Sequence, residues 1–234
     1  MFYDLNIKGN SFEGNIQLAE HASNSGWDHI SFSYSQDNIE DALKFKEELI
    51  DKFENNISID YTLYIKPNNP GEVFKLVNKY RSRVNCISVF GGDLRVNRVC
   101  TENIKLDVLS RPYFRRFDSG LNHILAKEAK NNNVAIELSF NDILSSYLSY
   151  RAKIIANFKD IYTLYDKFHF PLIVSCGASN IFDIKSPIDL EAFFKNTGFN
   201  DFEKSMEHCK RILEHNSNRD DLIFKGVRRI NNEA

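Results

Sequence analysis

The sequence has no CxxC pair and no HxH, HxxxH or HExxH spacing that would aim two imidazoles at one metal. Its four cysteines, Cys86, Cys100, Cys176 and Cys209, lie far apart, which points to buried thiols rather than a zinc site or a disulfide framework. It also lacks any apolar run near the roughly 20 residues that span a bilayer. The opening MFYDLNIKG begins with strand-like alternation instead of the charged-then-apolar order of a signal peptide. A cytoplasmic location with no membrane partner is expected.

What is present suits one globular unit. The chain has 234 residues, 42% of them hydrophobic and 26% charged, which accommodates a single α/β barrel over residues 1–234. The net charge of -2 is unevenly spread: residues 1–60 hold 4 Lys/Arg against 12 Asp/Glu, and residues 81–116 hold 8 against 3. A chain near neutrality does not coat nucleic acid indiscriminately, yet a folded cationic patch can still neutralise several phosphates.

Seven β-branched and aromatic runs recur: FYDLNI (2–7), HISFS (29–33), SIDYTLYI (58–65), CISVF (86–90), KLDVLS (105–110), VAIELSF (134–140) and PLIVSC (171–176). Helix-period segments fill the gaps, including one helix over 38–53, one starting at Pro70, one over 120–130 capped by Asp118 or Ser119, and a longest one over 142–167. Strands joined by crossover helices with no hairpin signal predict an α/β TIM-like (β/α) barrel. The weak eighth strand, LIFKG at 222–226, predicts that the barrel is incomplete or irregular, and residues from about 219 to 234 read as a partly frayed tail.

Functional groups of such a barrel sit on the loops after the strands. Here that rim offers Asn6, Lys8, Ser33, Tyr34, Lys66, Gly91 to Arg95, Arg111 to Arg116, Asn141 and Ser175 to Asn180, and it is poor in carboxylates and histidines. Hydrolysis by acid/base pairs or by two metals needs the opposite composition. Asp4 and Glu137 are the best acidic candidates, and a single carboxylate inside a strand is more often paired with an internal cation than catalytic. VFGGDLRVNR at 89–98 lacks the Walker and dinucleotide spacings; it reads either as a Gly-Gly turn with Asp93 capping a helix or as backbone amides with Arg95 and Arg98 meeting phosphate.

The densest cationic stretch is SRPYFRRFDSG at 110–120. Pro112 biases Arg111 away from helix, so the strand ends there. Arg111, Arg115 and Arg116 either pair with Asp118, Asp107 or Asp93, or serve RNA through phosphate forks and base stacking beside Tyr113, Phe114 and Phe117.

Four segments, YDLNI, VFGGDLRVNR, KLDVLSRPYFRRFDSGLNHILAKEAKNNNVAIELSF and PLIVSCGASNIFDIKSPIDLEAFF, carry a resemblance to the thirty-kilodalton protein subunit of archaeal and eukaryotic ribonuclease P, from Met1 to about His215. The resemblance implies a barrel related to the polymerase-and-histidinol-phosphatase phosphoesterases but without their chemistry. Where that class reads D-L-H-x-H, this chain reads Asp4, Leu5, Asn6, Ile7, Lys8, so no catalytic residue, no metal ligand and no protein-bound cofactor is expected. It further implies a subunit of the ribonucleoprotein that removes the 5′ leader of precursor tRNA, with catalysis by Mg²⁺ in the RNA. The implied partners are the ribonuclease P RNA, precursor tRNA and a smaller subunit of RNA-recognition-motif-like fold, in a dimer of heterodimers. Arg111, Arg115 and Arg116 become the leading RNA contacts, with Arg95, Arg98 and Lys8 next and Lys225, Arg228 and Arg229 as a weaker patch. Two other readings stay open: a metal-dependent phosphoesterase with an unrecognised ligand set, and a small-molecule barrel enzyme using the Gly91-Gly92 and Ser175 to Ser179 turns.

Overall fold

A computed structural model describes residues 1–217 together with the backbone of Leu222–Phe224 and Val227–Arg228. Seven parallel strands form one sheet in chain order: β1 (Tyr3–Lys8), β2 (His29–Ser35), β3 (Ser58–Ile65), β4 (Cys86–Phe90), β5 (Val108–Ser110), β6 (Ala135–Ser139) and β7 (Leu172–Ser175). The helices are α1 (Phe12–Asn24), α2 (Ile39–Leu43), α3 (Lys46–Phe53), α4 (Pro70–Tyr80), α5 (Leu94–Thr101), α6 (His123–Asn131), α7 (Asn141–Leu144), α8 (Leu148–Phe168), α9 (Pro187–Thr197) and α10 (Phe202–Ser217). All seven expected strands are present in a nearly closed barrel, and all four cysteines are buried and free.

The barrel closes by side chains as much as by backbone. Between β7 and β1 the Lys8 amide donates to the Ala178 carbonyl at 2.7 Å, and the Asp4 carboxylate accepts from the Cys176 amide at 2.8 Å. Toward the strand starts, α10 fills the seam: Ser205 Oγ accepts from the Val174 amide at 3.0 Å and Met206 Sδ from the Tyr3 amide at 3.3 Å. Strand edges buried without such partners would leave amides desolvated and unpaired. This is why Leu222–Phe224 is not an eighth stave. It forms β8 and pairs antiparallel with β9 (Val227–Arg228), apart from the main sheet. The rest of the expected tail lies outside the described residues.

Apolar strand residues face the helices, where Ile30, Phe32, Leu63, Ile87, Val89, Ile136 and Val174 are fully or almost fully buried. The lumen is instead lined with small polar groups. Ser31 and Thr62 share a hydrogen bond of 2.7 Å, and Ser88, Ser110, Ser139 and Ser175 are buried beside them. Barrel lumens are ordinarily filled by branched aliphatic layers, so this interior is built differently.

Several helices depart from the sequence expectation. The 38–53 segment is two helices, α2 packing on β2 and α3 on β3, because the chain turns at Phe45 to follow two neighbouring strands. The 142–167 segment breaks at 145–147: Ser145 Oγ bonds the Asn141 carbonyl and Arg151 Nε the Ser146 carbonyl, so side chains replace the helical ladder. Tyr147 and Leu148, at this break, are 75% and 90% exposed. Asn122, rather than Asp118 or Ser119, caps α6, since Asp118 is turned toward Arg116 and the Gly120 amide. Strand β5 is only three residues long; just before it the Asp107 carboxylate accepts from Arg81 and from the Ile87 amide, while its backbone still bonds Ile87 and Ala135.

Candidate nucleic-acid interface

At the mouth of the barrel a bulge in β1 decides which side chains look inward. Tyr3 and Asp4 pair in register with His29 and Ile30, but Ile7 pairs with Phe32, so one extra residue is inserted between Asp4 and Ile7. The Asp4 carboxylate takes up the freed Asn6 amide at 2.9 Å, and Asn6 and Lys8 turn into the lumen with Ser33. Asn6 Oδ1 accepts from Lys8 Nζ at 2.7 Å and from Ser33 Oγ at 2.8 Å, while its Nδ2 donates to Glu137 Oε1 at 2.7 Å. Ser175 Oγ donates to the same Glu137 oxygen at 2.5 Å. Both lone pairs of the Asn6 carbonyl are engaged and an ammonium stands beside it, so these residues do not fit a divalent ion. Among the described residues no group of three or more His, Cys, Asp or Glu converges.

Asp4 and Glu137 were expected to pair with internal cations. They are held instead by backbone amides and by neutral Asn and Ser groups. Burial raises the Asp4 carboxyl to about 6, against its two backbone hydrogen bonds. Burial lowers Lys8 to about 8; Glu137 supports its charge while Arg111 and Lys66 oppose it. Lys8 Nζ lies 3.6 Å from the centroid of the Tyr64 ring, and Lys66 Nζ 5.5 Å from that of Phe90.

The two arginine-bearing motifs form a single structure. Buried Asn97 on α5 donates to the carbonyls of Pro112 and Gly120 at 3.1 and 2.9 Å and accepts from the Gly92 amide at 3.0 Å. This staples the 91–93 turn to the 111–120 loop. Glycine is required at 92 and 120: both have positive φ, and a Cβ on Gly120 would lie 2.0 Å from the Pro112 carbonyl oxygen. Asp93 caps α5 through the amides of Arg95 and Val96, as one reading of VFGGDLRVNR anticipated.

The three arginines of the loop have separate environments. Arg111, at φ 53, makes a bidentate pair with Asp142 from the next rim loop, and its guanidinium lies over the rings of Phe90 and Phe114 at 5.1 and 4.7 Å. Burial works against this charge, but Asp142 holds it above the ordinary arginine value. Tyr113 ties in the same carboxylate, donating to Asp142 Oδ2 at 2.8 Å and accepting from the Ser139 amide. Arg116 bonds Asp118 and, at 3.0 Å, the Gly92 carbonyl. Arg115 makes no ion pair with a described residue; its guanidinium lies 5.4 Å from the Phe114 ring. Asp142 was missed as the Arg111 partner because it is 31 residues away in sequence.

The remaining candidates are divided. Arg95 and Arg98 sit on α5 in exposed pairs with Asp93 and Glu102, with side chains 80% and 70% exposed. Lys225 and Arg229 lie outside the described residues, and of Arg228 only the backbone is described. Lys8 ends β1, Lys66 follows β3, Arg95 lies in the first turn of α5, and Arg111, Arg115 and Arg116 follow β5, so the barrel brings them to one face.

Comparison with known proteins agrees with this geometry. The family model described as RNase P subunit p30 matches residues 1–221. Ribonuclease P protein component 3 of Methanothermobacter thermautotrophicus is 36% identical over 231 residues, covering 97% of this chain and 94% of that one. The Methanocaldococcus jannaschii protein of the same name is 35% identical over 72% and 74% of the two chains. A chain in the cryo-EM structure of archaeal ribonuclease P with mature tRNA superposes with a TM-score of 0.84 at 29% identity, over 99% of both chains. The histidinol phosphate phosphatase of Lactococcus lactis shares the fold, with a TM-score of 0.59 at 9% identity over 85% of this chain and 94% of that one. With its barrel, its arginine-bearing rim and these matches, the chain belongs to the RNase P subunit p30 family.

Proposed function

We infer that this chain serves as a protein subunit of ribonuclease P, the ribonucleoprotein endonuclease that removes the 5′ leader of precursor tRNA. The observation that carries this reading is superposition over 99% of both chains on a subunit of archaeal ribonuclease P with tRNA. The chain lies in the cytoplasm and acts as a cationic support; Mg²⁺ held by the RNA performs the cleavage. The Asn6 and Lys8 geometry, unsuited to a divalent ion, speaks against the phosphoesterase alternative. Cations on the rim lower the phosphate repulsion of the folded RNA, which otherwise needs high Mg²⁺. Arg115 is the leading direct contact of the loop, with Lys8, Arg95 and Arg98 beside it, whereas Arg111 and Arg116 brace the turn that presents it. A smaller subunit of RNA-recognition-motif-like fold joins this chain in a dimer of heterodimers.

The chain captured from native extract, with its bound RNA, should cleave precursor tRNA, and prior digestion of that RNA should abolish cleavage. Cleavage that survives digestion would assign the chemistry to protein and sink the reading. Light scattering of the purified chain with its captured small partner should give the mass of two copies of each.

A further inference from the structure

On the outer side of the arginine loop lies a groove of about 470 Å³, between the 111–117 turn and the start of α8. Its walls carry two rings that the fold does not bury: Phe117 is 95% exposed and Tyr150 40%. Lys153 stands against the first, its Nζ 3.5 Å from the Phe117 centroid. Arg115 enters from the loop. Neither Arg115 nor Lys153 makes an ion pair with a described residue, and the one carboxylate lining the groove, Asp142, is occupied by Arg111 and Tyr113.

A single exposed ring is ordinary on a protein surface. Two rings on facing elements, together with two cations that lack carboxylate partners, form a specific combination. Exposed aromatic faces stack unpaired bases, and adjacent cations hold the phosphates that follow. A base-paired helix cannot use the rings, because its bases are already stacked and its deep groove admits no side chain. The groove also has the size of a small-ligand site, which runs from about 300 to 1,000 Å³.

We propose that this groove receives one unpaired nucleotide of the RNA, its base stacked on Phe117 and Tyr150 and its phosphate held by Arg115 and Lys153. The proposal rests on the RNA-binding reading above and adds to it the form of RNA bound at this place. The break between α7 and α8 then has a role, since it carries the chain from Asp142, locked to the loop, out to Tyr150 and Lys153.

The test uses the full chain and two probes of equal charge: a short single-stranded oligouridylate with one internal 2-aminopurine, and a blunt RNA duplex. Phe117→Ala with Tyr150→Ala should weaken single-strand binding about 5- to 50-fold, abolish the 2-aminopurine fluorescence change, and leave duplex binding, its salt slope and the melting temperature unaltered. Phe117→Trp should retain the parent affinity. Arg115→Gln with Lys153→Gln should lower the logarithmic salt slope by about one to two. If the aromatic variant binds the single strand as well as the parent, or loses both probes equally, the nucleotide groove is wrong; a reduced slope in the cation variant would still leave the RNA-binding reading standing. If the parent chain binds neither probe nor ribonuclease P RNA at low salt, the broader reading fails as well.

Discussion

Arg111 and Arg115 are four residues apart, belong to one motif and have opposite surroundings. Arg111 is mostly buried and shares Asp142 with Tyr113, so removing it leaves a nearly buried carboxylate short of its main partner. Such losses typically cost a few kcal/mol. Arg111→Ala is therefore expected to lower the unfolding free energy by about 2–4 kcal/mol in denaturant titration. Arg115 has no comparable partner, and Arg115→Ala should stay within about 0.5 kcal/mol of the parent while lowering the salt slope of RNA binding by about one. Equal destabilisation of the two variants would contradict the division of roles. Gly120 tests the same loop from the backbone side: at φ 68 and with the Pro112 carbonyl in the place of a Cβ, Gly120→Ala should lower the melting temperature more than Arg115→Ala does.

Among the elements, the seam between β7 and β1 is the least conventional part of the barrel. Ser205 on α10 is the acceptor for the Val174 amide, and Ser205→Ala leaves that amide buried and unpartnered, at a cost of about 1–3 kcal/mol. Hydrogen exchange at Val174 should accelerate in that variant, and unchanged protection would argue that α10 does not seal the edge. Asp4 adds a pH dependence. Its folded value of about 6 lies above the ordinary 3.8, so between those values the native state binds more protons than the unfolded chain. Stability contributed by this group is therefore complete below about pH 4 and is lost as the pH rises through 6. In Asp4→Asn, which cannot titrate, the fall in melting temperature from pH 4 to 6 should be shallower than in the parent. Lys8 acts at the other end of the scale: its value near 8 makes it lose charge above pH 8, where RNA binding should weaken more in the parent than in Lys8→Gln.

For the molecule as a whole, charge arrangement matters more than charge total. The chain is acidic overall, yet the barrel topology gathers the cations of four separate rim loops on one face. Electrostatic binding to phosphate is governed by the cations at the interface and falls within about a Debye length of it. Neutralising exposed Glu47 and Glu48 on α3, as Glu47→Gln with Glu48→Gln, brings the net charge from -2 to zero and should leave the salt slope of RNA binding unchanged. A steeper slope in that variant would show that net charge, and not the rim, sets the affinity.

The strand and helix alternation, the barrel class, the scarcity of metal-binding groups and the family were all legible in the order of residues. Each of these is written in local periodicity, residue type or contiguous motif, and local interactions express them without reference to distant residues. Tertiary structure alone decided what the residues do. Arg111 could not be separated from Arg115 until Asp142 arrived from the next loop, and the role of Gly92 and Gly120 awaited the approach of two loops through Asn97. The β1 bulge, invisible as alternation, turned Asn6 and Lys8 inward, and the break before α8 put Tyr150 and Lys153 opposite Phe117. These outcomes depend on contacts between residues tens of positions apart, which composition and spacing do not encode.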